Sequence, residues 1–111
     1  MKDKKVVYIS GNTNRVNHNL DIFEAAEEKL KARGYSVVNP VHVLNDIPFD
    51  NIDHDSIVKI NWLIIKNCDI IYMLKGWEES SESRRELEYA CSLLLEVMYE
   101  EDEWYFYLRA C

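Results

Sequence analysis

The first forty residues alternate between strand-like and helix-like patterns. A β-branched and aromatic run at residues 5–10 stops at Gly11, and residues 35–38 form a second such run that ends at Asn39-Pro40. Between them, apolar residues recur at helical spacings of three and four: Leu20, Phe23, Ala26 and Leu30. Gly34 supplies the residue that commonly ends a helix. This pattern predicts a βαβ unit, so the two strands are parallel and joined by a right-handed crossover.

The rest of the chain continues this alternation. Residues 41–51 have no clear period and contain Pro48, so we expect a long loop there. Asp53 and Asp55 suit the start of a second helix, whose apolar stripe is Ile57, Ile60, Leu63 and Ile64. Residues 68–74 are nearly all apolar, as expected of a central parallel strand that is covered on both faces.

The pattern after this central strand is less regular. A third helix is expected from Ser80 to about Leu94, with an inward face made of Leu87, Ala90, Cys91 and Leu94. Residues 95–99 fit either a fourth strand or a continuation of that helix, and residues 104–108 read as a short edge strand. No repeat or linker interrupts the chain, so residues 1–111 are expected to form one α/β domain.

Composition excludes several classes of protein. Twenty acidic against thirteen basic residues give a net charge of -7, which argues against a general nucleic-acid binder. No apolar run approaches the roughly 20 residues of a transmembrane helix, and no signal peptide is recognisable. Three isolated cysteines fit a reducing compartment, so we expect a cytoplasmic protein without membrane contact.

Metal and cofactor signatures are also missing from the sequence. The three histidines are scattered, with no partner at metal-ligand spacing, and neither the phosphate-loop nor the dinucleotide fingerprint is present. We therefore expect no metal site and no cofactor.

Two of the three glycines follow predicted strands. Gly11 and Gly76 would lie at the same edge of a parallel sheet, which is where open α/β sheets hold small ligands. The sequence thus predicts one crevice, lined by the turn of Ser10, Gly11 and Asn12 and by the loop from Gly76 to Ser83.

Glu86 lies in the first turns of the third predicted helix and has two interpretations. The first is structural: Ser83 and Glu86 fit a capping box, in which each side chain satisfies a backbone N–H of the other residue. The second is functional: Glu86 is a carboxylate nucleophile or base in the crevice. Both roles fit the helix only if Ser80, and not Ser83, is the N-cap.

Three further residues have the same ambiguity. Arg84 lies where the helix dipole disfavours cations, so it either serves an anionic ligand or pairs with Glu88 on a solvated face. Asn61 lies on the inward stripe of the second helix, where its amide either binds backbone groups or reaches a ligand. Trp77 follows the third strand, where it either stacks on a flat ligand or covers the core.

Two groups of residues together resemble a small nucleoside 2-deoxyribosyltransferase-like domain, of a short and functionally uncharacterised branch. The first group is Val7-Tyr8-Ile9-Ser10-Gly11, Asn19, Phe23, Ala25-Ala26, Leu30, Gly34 and Val38-Asn39-Pro40. The second group is Cys68-Asp69, Gly76-Trp77-Glu78, Ser80, Glu86 and Ala90. The resemblance implies a flavodoxin/Rossmann-like three-layer sandwich with a parallel sheet in the order 2-1-3-4, with or without a short fifth edge strand.

The resemblance also implies a function. It assigns Glu86 as the nucleophile that attacks the anomeric carbon of a nucleoside or nucleoside 5′-monophosphate, Tyr8 as the residue that orders it, and Ser80 as a phosphate contact. A carboxylate can carry this chemistry because it stabilises an oxocarbenium-like transition state. Relatives complete the site across a dimer, so a homodimer or higher homo-oligomer is implied.

Departures from the family pattern leave other functions open. Asn61 stands where active relatives carry an aspartate, and an amide cannot act as a general acid. Glu82 adds a negative charge close to any bound phosphate. The alternatives are a non-catalytic nucleotide-binding or sensing module on the same fold, and an interaction protein that uses the aromatic residues at 104–107 as its interface.

Overall fold

The computed structural model describes residues 4–12 and 19–102 and shows an α/β sandwich. In this part of the chain the elements are β1 (Val6–Ser10), α1 (Asn19–Ala32), β2 (Ser36–Val38), α2 (Pro40–Asn45), α3 (His54–Lys66), β3 (Ile70–Met73), a 3-10 turn (Trp77–Glu79), α4 (Ser81–Ser92) and β4 (Glu96–Tyr99). The expected edge strand at residues 104–108 and the aromatic residues at 104–107 lie outside the described residues.

The four strands form one parallel sheet in the order β2-β1-β3-β4. This order confirms the predicted topology, and residues 96–99 are a strand, not a continuation of the preceding helix. The side chain of Asp69 supports the register, because its Oδ2 accepts a hydrogen bond of 2.8 Å from the backbone N–H of Val6. The central strands β1 and β3 are buried on both faces, which explains the nearly unbroken apolar run in β3.

The alternation of side chains along β1 divides the core between the two faces of the sheet. Val7 and Ile9 pack against Phe23 and Leu30 of α1, whereas Tyr8 packs on the opposite face with Ile65 of α3 and Ala90 of α4. Because successive side chains of a strand point to opposite faces, Ser10 follows Tyr8 toward α4. Two polar side chains of β1 are therefore buried against the same helix.

The expected loop at residues 41–51 begins as a helix, so that prediction was wrong in part. Asn39 is the N-cap of α2, with its side-chain oxygen 3.0 Å from the N–H of Val41, and Pro40 occupies the first helical turn. An asparagine followed by proline is a helix-start signal as well as a strand terminator. The Asn39 amide also donates to Glu27 of α1, which ties the short helix to its neighbour.

Two helices end with the same backbone motif but with different residues at its strained position. After α1, Gly34 has a φ of 95°, and the next N–H, that of Tyr35, returns to the carbonyl of Leu30. After α4, Leu94 occupies the equivalent position with a φ of 62°, and the N–H of Leu95 returns to Ala90. The helix therefore ends two residues before Leu94.

The predicted inward face of α4 was wrong at two of its residues. Leu94 is 91% exposed and Cys91 is exposed, whereas Ala90 is fully buried. The left-handed turn that ends the helix rotates Leu94 out of the apolar stripe.

We predict that Leu94→Gly stabilises the protein. A leucine in the left-handed region costs roughly 1–2 kcal/mol, and glycine removes this strain. Part of the stabilisation is lost again, because glycine gives the unfolded chain more conformational entropy. Little packing is lost, because the leucine side chain is 91% exposed. We expect a gain of about 0.5–1 kcal/mol in the free energy of unfolding, measured by urea denaturation. Leu94→Ala, which keeps the strain, is the control, and equal stability of the two variants would contradict the argument.

Candidate functional site

The carboxylate of Glu86 is held under the sheet edge by hydroxyl groups from β1. Tyr8 donates its hydroxyl hydrogen to Oε2 at 2.9 Å, and Ser10 donates to Oε1 at 2.7 Å. Both donors come from the face of β1 that turns toward α4, and Glu86 is only 8% exposed. Each carboxylate oxygen thus has one short hydrogen bond to the same strand, which fixes the plane of the carboxylate.

The N-terminus of α4 tests the structural interpretation of Glu86. Ser80 is the N-cap, because its Oγ accepts the N–H of Ser83 at 3.2 Å. The capping-box interpretation with Ser83 as the cap is therefore wrong. Glu86 is not engaged at the end of its own helix and reaches β1 instead.

The hydroxyl of Ser83 extends the network behind the carboxylate. Ser83 Oγ and Ser10 Oγ are 2.6 Å apart, and both residues are buried. Ser10 has a single hydroxyl hydrogen, which it donates to Glu86, so Ser83 must be the donor to Ser10. This chain of donors polarises toward the carboxylate and strengthens the bond that it receives.

Asn61 of α3 approaches the carboxylate from the other side of the site. Its side-chain hydrogen bond lowers the pKa of Glu86, so the amide nitrogen is the group that faces the carboxylate. Its Oδ1 is then turned away; this atom is buried and accepts no hydrogen bond from the residues that the structure describes. A buried acceptor of this kind is costly unless a ligand or water supplies a donor.

The surroundings of Glu86 shift its pKa in opposite directions. Burial raises the pKa of Glu86 most strongly, hydrogen bonds from Ser10, Tyr8 and Asn61 lower it, and the nearby carboxylate of Glu82 raises it, with a net upward shift. Burial, with Glu86 as a further cause, raises the pKa of Tyr8 well above its ordinary value. Tyr8 consequently stays neutral and remains a donor.

A cavity of about 460 Å³ opens beside this network. Its polar lining includes Tyr8, Asn61, Glu82 and Glu86, together with His54 at the start of α3. The remaining wall is mostly apolar and comes from α1, α2 and α3: Leu20, Phe23, Pro40, Val41, Leu44 and Ile57. A few convergent polar groups in a mostly apolar cavity are typical of a small-molecule site.

The cavity lining also contains His54, which sequence reasoning missed. It lines the cavity together with Glu82, already expected close to a bound phosphate, and Glu82 Oε1 is 3.5 Å from His54 Nε2. The wall from α2 was missed because residues 41–51 were read as a loop. The Asn39-Pro40 helix-start signal is what could have revealed it.

Of the other predicted ligand-binding residues, some line this cavity and others lie outside it. Gly11 lines it, whereas Asn12 and Gly76 line a smaller neighbouring cavity of about 150 Å³. Trp77 packs near Tyr99 of β4, with their ring centroids 6.0 Å apart. Arg84 is exposed, and its guanidinium donates to the carbonyl of Glu78.

Gly11 has a packing role that the sequence pattern does not reveal. A Cβ on this residue would lie 2.7 Å from Cδ1 of Leu74, at the point where the chain leaves β1 beside the end of β3. The absence of a side chain lets the two strand ends approach each other.

The family comparison can now be placed beside this geometry. The model of a domain of unknown function, DUF4406, matches residues 5–99. The chain belongs to the DUF4406 family. This match covers all four strands and the Glu86 network, so the site described above is part of the family domain.

Solved structures show that this DUF4406 protein has a nucleoside 2-deoxyribosyltransferase-like fold. A 2-deoxyribosyltransferase from Leishmania mexicana superposes with a TM-score of 0.67 at 18% identity, covering 86% of this chain and 63% of that one. A CMP N-glycosidase from Clostridium botulinum superposes with a TM-score of 0.62 at 18% identity, covering 86% and 70%. The chain thus spans less than two thirds of the Leishmania protein. At the level of sequence, no curated protein matches it.

The membrane prediction can be compared with the helices themselves. Within residues 4–12 and 19–102, no helix combines the length and apolar character that crossing a bilayer requires.

We predict that Glu86→Gln stabilises this DUF4406 protein, increasingly so at higher pH. The pKa of Glu86 is raised from its ordinary value near 4.5, so the folded protein holds a proton that the unfolded chain releases. The stability of the wild type therefore falls as pH rises from the unfolded pKa to the folded pKa, and stays lower above it. Each unit of pKa shift corresponds to about 1.4 kcal/mol.

Thermal unfolding between pH 4.5 and pH 8 measures this effect. The difference in Tm between Glu86→Gln and the wild type should grow with pH. The exposed Glu88→Gln on the same helix removes the same charge and should show no such growth. A difference that is constant or shrinks with rising pH would show that burial does not dominate the environment of Glu86.

Proposed function

We propose that this protein binds a nucleoside or nucleoside 5′-monophosphate and cleaves its N-glycosidic bond, with Glu86 as the nucleophile. The observation that carries the proposal is the buried Glu86 carboxylate, fixed by Tyr8 and Ser10 on the wall of a mostly apolar cavity. The fold shared with a 2-deoxyribosyltransferase and a CMP N-glycosidase supports the same class of reaction.

The proposed reaction has two steps. A carboxylate oxygen of Glu86 attacks the anomeric carbon while the carbon–nitrogen bond breaks and the base leaves with the electron pair. Water then attacks the anomeric carbon and gives up a proton to the departed base or to solvent, while the bond from that carbon to the Glu86 oxygen breaks and the carboxylate is regenerated; a second base in place of water gives a transferase. The hydrogen bonds from Tyr8 and Ser10 hold the carboxylate in its attacking plane in the first step and stabilise it as the leaving group in the second.

Asn61 has a positioning task in this proposal. Its amide nitrogen faces Glu86, and the residue lines the cavity in which the substrate would lie. It cannot protonate the departing base, because a carboxamide is not an acid in the relevant pH range. The leaving group is then a base that departs without a protein acid, or one protonated by solvent.

The same residue favours a second candidate function, a non-catalytic nucleotide-binding or sensing module. A site that keeps its donors and its acceptor but has no general acid can still hold a ligand tightly. Binding without turnover would distinguish this module from the enzyme.

Release of free base tests the proposal directly. Purine and pyrimidine ribo- and deoxyribonucleosides and their 5′-monophosphates are incubated with the wild type and with Glu86→Gln, and the products are separated by chromatography. We expect the wild type to release base and the variant to be slower by at least about a thousandfold, the loss typical of a removed nucleophile. Glu88→Gln should keep the activity of the wild type.

Each result has a distinct meaning. The thermal unfolding of Glu86→Gln described above shows whether a loss of activity reflects unfolding or the loss of the carboxylate. Release that persists in the variant would remove Glu86 from its role but keep the reaction. Binding without release from any substrate would leave the sensing module as the function.

The proposal includes a cytoplasmic location, as the three isolated cysteines predict, and assembly into a homodimer or higher oligomer, as the resemblance implies. Sedimentation velocity at micromolar concentration tests the assembly. We expect a species of at least twice the 13.2 kDa mass of one chain. A single species at the mass of one chain would contradict it.

A further inference from the structure

We propose that Glu82 makes the cavity selective for an uncharged nucleoside over the corresponding 5′-monophosphate. This inference rests on the proposed function, because it takes the sugar to lie against Glu86. It narrows the two substrate classes left open there to one, and it gives a role to a residue that the reaction itself does not use.

The position of Glu82 is the first support for this selectivity. Glu82 is in the first turn of α4, one helical turn before Glu86, and both residues line the same cavity. Its side chain is 39% exposed, and Oε1 lies 3.5 Å from His54 Nε2 on the opposing helix α3. The carboxylate is therefore at the rim, where a charged ligand would meet it on entry.

The start of α4 is the second support. A helix N-terminus ordinarily attracts a phosphate through its positive dipole end. Here the chain places its own anion, Glu82, in that first turn. The dipole thus stabilises a protein carboxylate that would have to share the region with a ligand dianion.

Two side chains near this helix end already donate to other protein groups. The hydroxyl of Ser83 donates to Ser10 Oγ at 2.6 Å, and the guanidinium of Arg84 donates to the carbonyl of Glu78. Recruiting the Ser83 hydroxyl to a phosphate would break the network behind Glu86, and turning Arg84 Nη1 toward a phosphate would break the contact that orders the turn before α4.

The size of the cavity makes the repulsion hard to avoid. Because Glu82 lines this cavity of about 460 Å³, a 5′-phosphate bound inside it cannot move far from the Glu82 carboxylate. Within such a space, a dianion stays within about one Debye length, roughly 8 Å at physiological ionic strength, of Glu82. Repulsion between like charges at this range weakens the binding of the monophosphate and leaves the binding of the uncharged nucleoside unchanged.

Calorimetric binding at pH 8 tests the proposal. The probes are adenosine, cytidine and thymidine, each paired with its 5′-monophosphate, and Glu86→Gln is the background, so that no probe is consumed. In this background we expect the monophosphate of the best-bound pair to bind roughly tenfold more weakly than the nucleoside. Adding Glu82→Gln should reduce this ratio to about threefold or less by tightening the monophosphate alone.

The control variant carries the same change of charge outside the cavity. Glu88→Gln, exposed on the same helix, should leave the ratio unchanged. Raising the NaCl concentration should narrow the ratio when Glu82 is present and change it less in Glu82→Gln, because salt screens the repulsion.

The outcomes separate this inference from the proposed function. A monophosphate that binds as tightly as its nucleoside, or a ratio unchanged by Glu82→Gln, would overturn the selectivity even if the wild type releases base. Nucleoside preference lost in Glu82→Gln would support the selectivity even if no base is released. Failure of every probe to bind would overturn both.

Discussion

The burial of one carboxylate is the constraint on which the rest of this site depends. Glu86 is 8% exposed, so its charge is tolerable only where donors compensate for lost water. Those donors come from two elements, Tyr8 and Ser10 on β1 and Asn61 on α3, and each element must be in register for the bonds to form. The sheet order and the packing of α3 and α4 on one face are therefore prerequisites of the site.

This arrangement leaves the carboxylate only partly compensated. The pKa of Glu86 remains raised despite its donors, because burial and the neighbouring Glu82 outweigh them. A protein selected for stability alone would replace such a group with an apolar side chain of similar size. Retaining it beside a cavity is the pattern expected of a site whose cost is balanced by function.

The features of this structure that the sequence predicts are those set by residues close together in the chain. The first βαβ unit follows from short patterns, and alternation along β1 places Tyr8 and Ser10 on one face. The three-residue spacing of Ser83 and Glu86 then brings both to that face. By contrast, the full sheet order came from the family resemblance, and the choice between Ser80 and Ser83 as N-cap needed the structure, because both serines precede the helix at suitable spacing. Leu94 is a left-handed residue that only the backbone reveals, and the pairing of Glu82 with His54 joins two helices far apart in sequence.

The orientation of Asn61 adds a last constraint on what the cavity can hold. Turning the amide around would set Oδ1 against the carboxylate of Glu86, where two acceptors repel, so the amide nitrogen must face the carboxylate. The cavity is lined by this asparagine and by the two carboxylates of Glu82 and Glu86. A ligand that matches the proposed site would present hydroxyl or amino donors, as sugars and several bases do, and would carry no negative charge of its own. With an asparagine at position 61, the proposed site holds no acid there that could protonate a leaving base.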